Sequence, residues 1–167
     1  MTILRDANVL ITGAASGIGR LLAEKMSDRG ARLILWDIDA DGLRELAAGL
    51  KQLERQAVVY RVDVSDRQAI ARAAEHVLAT HGPIDVLINN AGIVTGQPIL
   101  EASDEQIERT FGVNILAHFW TVRAFLPTMA ERNRGHIVTI ASAGGLVAAP
   151  RLSDYSATKF AAVGFDE

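Results

Sequence analysis

The sequence predicts a doubly wound α/β fold, a parallel sheet with helices on both faces. Two observations carry this. From Asn8 onward, short apolar runs alternate with longer stretches of helical periodicity, the pattern of repeated strand–helix units. The runs are also nearly continuous Val, Ile and Leu, as strands covered on both faces require. Right-handed crossovers then give the strand order 3-2-1-4-5. A ligand crevice is expected at the switch point, beyond the carboxyl ends of the strands.

The elements follow in order. Residues 8–12 read as strand one and residues 17–28 as the first helix, with Gly30 as its stop. Strand two covers 32–36, and Asp39 caps a helix reaching about Leu53. Strand three covers 57–62. Ser65-Asp66-Arg67-Gln68 has the form of a capping box and opens a helix ending near His81-Gly82-Pro83. Strand four covers 84–88. A second capping box, Ser103-Asp104-Glu105-Gln106, opens a long helical region to about Arg132, which Pro127 should kink or interrupt. Residues 136–140 form strand five, an apolar sheet edge. Ser153 or Asp154 begins the last helix.

Composition narrows the function. The 167 residues carry 17 basic and 20 acidic side chains, a net charge of −3, with no basic run longer than two, which argues against a nucleic-acid surface. There is no cysteine, hence no disulfide framework and no thiolate metal site, as in a cytoplasmic protein. The four histidines, His76, His81, His118 and His136, lack ligand spacing and read as surface or helix-end residues. No apolar stretch is long enough to span a bilayer.

The stretch Thr12-Gly13-Ala14-Ala15-Ser16-Gly17-Ile18-Gly19 joins strand one to the first helix. A strand, a glycine turn and a helix start make a phosphate cradle, because the first helical N–H groups lack partners and carry partial positive charge. Asp37 ends the next strand, where a dinucleotide site places the carboxylate for the adenosine ribose. Asp63 and Val64 follow strand three, where the adenine would lie, although Asp63 also reads as a helix-start turn residue. Asn89-Asn90-Ala91-Gly92 follows strand four on the crevice side; Gly92 allows close backbone approach and the asparagines can pin turns.

Tyr155 and Lys159 stand four residues apart, on one face of a helix. A free tyrosine has a pKa near 10 and is a poor base at neutral pH, but a nearby ammonium favours the phenolate. Taken alone, the pair also fits an ordinary aromatic–lysine helix contact. Ser142, in the loop after strand five, can donate to a substrate oxygen or satisfy its own backbone. Asn114, inside the long helix, reads by itself as a solvent-facing polar residue.

Together these residues resemble the short-chain dehydrogenases/reductases, in their single-domain branch, over the whole chain. Residues 12–19 look like the family's TGxxxGxG cofactor motif and residues 89–92 like its NNAG motif. Asn114, Ser142, Tyr155 and Lys159 fall in the order and spacing of its Asn-Ser-Tyr-Lys tetrad. The resemblance implies a Rossmann-like fold and an NAD(H)-dependent oxidoreductase interconverting an alcohol and a carbonyl compound. Tyr155 would be the general acid/base. Lys159 would bind the nicotinamide ribose, Ser142 would orient the substrate oxygen, and Asn114 would hold a relay water through its helix backbone. Gly13, Ser16, Gly17, Ile18 and Gly19 would hold the cofactor with Asp37, Asp63 and Val64, and Asn90, Ala91 and Gly92 would complete its site. NAD is expected over NADP, since Asp37 repels a 2′-phosphate and neither Ala15 nor Ile38 offers a cation. Residues 135–142 and 159–165 are similar to a branch acting on retinol, hydroxysteroids and other lipid alcohols, and the apolar stretch at residues 146–150 agrees with a largely apolar substrate.

Family members continue beyond this point with two more strands and a substrate-covering loop. The chain is therefore expected to be one domain over residues 1–167, incomplete at its C-terminal end, and part of a homodimer or homotetramer built on the two long helices. The alternative is a non-catalytic dinucleotide-binding module or an inactive fragment.

Overall fold

The structure, a computed structural model, describes residues 3–167. Strands and helices alternate as β1 (Asn8–Thr12), α1 (Gly17–Asp28), β2 (Arg32–Asp37), α2 (Ala40–Gln52), β3 (Ala57–Arg61), α3 (Arg67–His81) and β4 (Val86–Asn89). Then α4 (Asp104–Phe111) passes through a π-helical turn (Gly112–Leu116) into α5 (Ala117–Glu131). β5 (His136–Thr139), a 3₁₀ turn (Ala143–Gly145) and α6 (Ser153–Asp166) follow. All strand pairings are parallel, in the order β3-β2-β1-β4-β5, as the alternation predicted.

Side chains alternate along each strand, so both faces of the sheet are apolar. Val9 and Ile11 of β1 join Leu33 and Leu35 of β2 against Leu43 and Leu46 of α2. Leu10, Ile34 and Leu87 pack on the other face against Ile70 of α3 and Phe125 of α5. There the Trp36 and Phe125 rings lie 5.8 Å apart. Leu10 and Leu87 are fully buried, and a Leu→Ala change at such a site costs about 2–5 kcal/mol. β5 is the sheet edge. Beside it opens an apolar groove lined by Leu22 and Met26 of α1 with Val86, Ile88, Val138 and Ile140.

Three local expectations change. Ser65 does not cap α3. Asp66 does, accepting from Gln68 N–H at 2.8 Å, while the Ser65 hydroxyl donates to Asp63 at 2.6 Å. A carboxylate one residue closer to the reaching N–H takes the cap, while the hydroxyl is held by Asp63. The second box forms in full, with Ser103 and Gln106 bonded reciprocally. α5 runs through Pro127, which has no N–H to give and so interrupts the helical bonding at that position. Phe125 and Met129 on either side are packed into the core. A further irregularity lies at the π turn, where Ala117 N–H reaches back to Gly112 C=O. His118, expected at the surface, is only 2% exposed. Strand ends differ by one or two residues, but single bonds such as Ile140 N–H to Asn89 C=O at 2.9 Å continue the ladder. Among the described residues no helix is long and apolar enough to cross a membrane.

Candidate active site

The carboxyl ends of β1, β2, β3 and β4 open onto one crevice of about 340 Å³. The glycine loop contributes Gly13, Ser16, Gly17 and Ile18 to its wall, and the end of β2 contributes Asp37. Asp63 and Val64 enter from the turn after β3, and Asn90, Ala91 and Gly92 from the loop after β4. Every one of these residues was singled out in the sequence. Ile38, Val62, Ile93, Arg109 and Val113 also line the crevice and were not. Ile38, Val62 and Ile93 directly adjoin predicted residues, so strand-end position was a usable signal. Arg109 and Val113 arrive from α4 and the π turn, a long-range placement that no local pattern encodes.

The loop is held open by specific bonds. Gly13 has φ +65°, a conformation that disfavours side chains, and a Cβ there would lie 2.8 Å from Ala91 Cα. The Thr12 hydroxyl oxygen accepts from Asn90 N–H at 3.0 Å and Ala91 N–H at 3.1 Å. The Asn90 side chain returns two bonds, to Thr12 C=O at 2.9 Å and Gly13 C=O at 3.0 Å. The ends of β1 and β4 are thereby stitched together. Gly19 does not line the crevice. It sits behind the loop, where a Cβ would meet Gly13 C=O at 2.0 Å, and so sets how closely α1 approaches β1.

Two features suit a dinucleotide. Ser16, the N-cap of α1, makes no side-chain cap bond, and the first turn holds no acidic residue, so its N–H groups remain available to an anion. Asp37 already accepts from Ala15 N–H at 2.8 Å and Asp39 N–H at 2.9 Å. These bonds fix the carboxylate, and each oxygen keeps a lone pair for a ribose hydroxyl. Asp63 serves the turn as well as the wall, accepting from Ser65 N–H at 2.9 Å and from its hydroxyl. Burial would raise its pKa, but the Ser65 bonds and the Arg109 and Arg61 charges outweigh burial and lower it.

The four tetrad candidates converge at the β4–β5 end of the sheet. Asn114 is fully buried in the π turn, not solvent-facing. Its side chain accepts from Ile93 N–H at 2.8 Å and donates to Ile93 C=O at 2.9 Å and to the Thr158 hydroxyl at 3.1 Å. Ser142 opens the 3₁₀ turn and accepts from Gly144 N–H at 3.1 Å, which leaves its own proton free to donate. A Cβ on Gly144 would stand 3.2 Å from the Tyr155 ring and 3.5 Å from Ser142 Oγ, so both groups lie against this glycine. Lys159 is 4% exposed; its Nζ donates to Ile140 C=O at 2.7 Å and lies 5.8 Å from the Tyr155 ring centre. Burial lowers its pKa. A Cβ on Gly92 would stand 3.7 Å from Lys159 Nζ and 3.6 Å from Asn114 Oδ1, which brings the NNAG-like loop to the same point.

The chain is similar to known proteins over nearly its whole length. The chain is 52% identical over 161 residues to short-chain dehydrogenase/reductase family 16C member 6 of Bos taurus, covering 95% of this chain and 51% of that protein. It is 50% identical over 157 residues to estradiol 17-beta-dehydrogenase 11 of Homo sapiens, covering 94% and 52%. The chain thus spans about half the length of these relatives. Among solved structures, a short chain dehydrogenase/reductase from Burkholderia phymatum in complex with NAD superposes with a TM-score of 0.95 at 34% identity, covering 99% of this chain and 59% of that one. A metagenomic short-chain oxidoreductase in complex with NADP gives 0.93 at 34% identity, covering 98% and 75%. With the short chain dehydrogenase family profile matching residues 7–167, the chain belongs to that family.

Proposed function

We propose that the chain carries the cofactor site and catalytic groups of an NAD(H)-dependent oxidoreductase interconverting a largely apolar alcohol and its carbonyl compound. The observation that carries this reading is Lys159. Its ammonium is buried, pairs with no carboxylate among the described residues and accepts the desolvation cost that such burial brings. A fold does not retain such a charge for stability. It stands 5.8 Å from the Tyr155 ring centre, beside the group proposed to move the alcohol proton. With one N–H bond directed to Ile140, its two others are free for ribose hydroxyls.

The remaining roles follow from placement. When bound, the nicotinamide exchanges a hydride with the substrate carbon. Tyr155 moves the hydroxyl proton, and Ser142 donates its free proton to the same substrate oxygen. The π turn around Asn114 shifts the backbone bonding register, which suits a carbonyl that holds a relay water. Asp37 favours NAD, since a 2′-phosphate would meet a fixed negative charge. The relatives' names, which include estradiol dehydrogenases and retinol dehydrogenase 10-A of Danio rerio, support a lipid alcohol as substrate.

The test is NADH formation with a panel of apolar alcohols that includes estradiol and retinol. Tyr155→Phe keeps the packing ring but lacks the transferable proton, so it should retain NAD binding and lose about 10²–10⁴-fold in turnover. Normal turnover by Tyr155→Phe at neutral pH overturns the assignment. NAD binding without turnover of any alcohol by the unmodified protein favours a non-catalytic module instead.

A further inference from the structure

The residue before Tyr155 is a buried carboxylate with no part in the chemistry above. Asp154 lies in the first turn of α6 and is 6% exposed. Its Oδ2 accepts the Thr95 hydroxyl at 2.8 Å across 59 positions of sequence. Thr95 belongs to the loop after β4, three residues beyond Gly92. A buried carboxylate costs several kcal/mol unless it is paired or bonded, so its retention calls for a reason.

A second link joins the same two segments. Asn114 holds both backbone groups of Ile93 and donates to the Thr158 hydroxyl. Thr158 in turn donates to Tyr155 C=O at 2.7 Å. The loop is therefore tied to the turn of α6 that carries Tyr155 at Ile93, through Asn114 and Thr158, and at Thr95, through Asp154.

We propose that Asp154 and Thr95 form a clamp that sets the loop after β4 against the Tyr155 turn, making both positioning residues for proton transfer. The loop carries Gly92, the residue next to Lys159 and Asn114. If the loop slides, the distance between Tyr155 and anything bound against that loop changes. Asp154 suits the task because its charge is met locally. Burial would raise its pKa, but the Thr95 bond, the Tyr155 and Asp154 backbone N–H groups and the nearby Thr110 hydroxyl outweigh burial and keep it ionised. The helix N-terminus adds to that stabilisation. A charged acceptor makes the Thr95 bond stronger than a bond between neutral groups.

The clamp's effect on catalysis rests on the dehydrogenase reading, whereas its effect on the loop does not, and the experiment reads both. Thr95→Val, Thr95→Ser, Asp154→Asn and the Thr95→Val/Asp154→Asn double variant are compared with the parent by amide hydrogen exchange over residues 92–97. They are also compared by NAD titration and by steady-state rates with the panel alcohol turned over fastest. Thr95→Val should speed exchange in that segment about tenfold or more, and Thr95→Ser should restore protection. In turnover, Thr95→Val should lower kcat about 10–100-fold, with NAD affinity changed less than about threefold, because misplacement of this kind acts on the chemical step. The double variant should be no worse than the worse single one.

Parental exchange at 92–97 in Thr95→Val overturns the clamp. So does parental kcat in Thr95→Val and Asp154→Asn, as does an equal loss of kcat and NAD affinity that Ser fails to rescue, since that marks general destabilisation. If the unmodified protein turns over no alcohol, the dehydrogenase reading fails, and exchange alone still decides whether Thr95 and Asp154 hold the loop.

Discussion

Replacing His118 by Leu should remove most of the acid sensitivity of this fold between pH 7 and pH 5. The His118 ring is buried between α5 and α6, 6.0 Å from the Phe165 ring, and neither ring nitrogen has a hydrogen-bond partner. Burial, aided by the Lys159 charge and opposed weakly by Asp166, lowers its pKa to about 4. The unfolded chain binds a proton at this position below about pH 6.5, whereas the native protein does so only below about pH 4. Between those values the unfolded state binds more protons, so stability falls as the pH falls. Integrating from pH 7 to pH 5 gives a loss of about 2 kcal/mol, or about 4–8 °C in Tm for a chain of this length. Asp63 and Asp154, both lowered, lose their contributions only at more acid pH, which leaves this window to His118. Leu is of similar size and brings no polar atom, so the variant should match or slightly exceed the parent at pH 7. The assay is urea unfolding at pH 7, 6 and 5 for both proteins without added cofactor. Parallel pH curves for parent and variant refute the assignment, because the proton uptake then lies elsewhere.

Three further substitutions test the site. Gly19→Ala should cost about 1–3 kcal/mol and abolish measurable dinucleotide binding, because its Cβ would meet Gly13 C=O; thermal unfolding and NAD titration check both. Asp37→Ala should weaken NAD and narrow its preference over NADP, and it also releases Ala15 N–H; tighter NADP than NAD binding by the unmodified protein contradicts the role of Asp37. Thr12→Val leaves Asn90 N–H and Ala91 N–H without their acceptor and should cost about 1–3 kcal/mol, with increased amide exchange at residues 90 and 91; unchanged protection there shows that the stitch between β1 and β4 is dispensable.

The architecture was legible because periodicity and turn chemistry are local signals. Continuous apolar runs mark strands buried on both faces, and right-handed crossover leaves little choice of order, so β3-β2-β1-β4-β5 followed. The crevice residues were legible for the same reason: the end of a strand is a position in sequence, and Gly13, Asp37, Asp63 and Gly92 all stand at or just beyond one. Asp39 as a cap and the Ser103–Gln106 box were equally local.

What only the tertiary structure decided involves partners far apart in the chain. Asn114 read as a polar residue on a solvent face. It is instead buried in a π turn, because Ile93 and Thr158 satisfy its side chain from 21 and 44 positions away. His118 read as a surface histidine, and α6 buries it. The Ser65 hydroxyl yielded the α3 cap to Asp66 because Asp63 captured it. Lys159 read as the neighbour of Tyr155, but nothing local showed that its ammonium would be buried against Ile140 C=O. The Thr95–Asp154 bond spans 59 positions and leaves no trace in either segment. A sequence window carries backbone preference and apolar period. Burial and the partner of a polar atom depend on which distant segment packs there, and for this chain those contacts separate an ordinary helix pair from the arrangement proposed for catalysis.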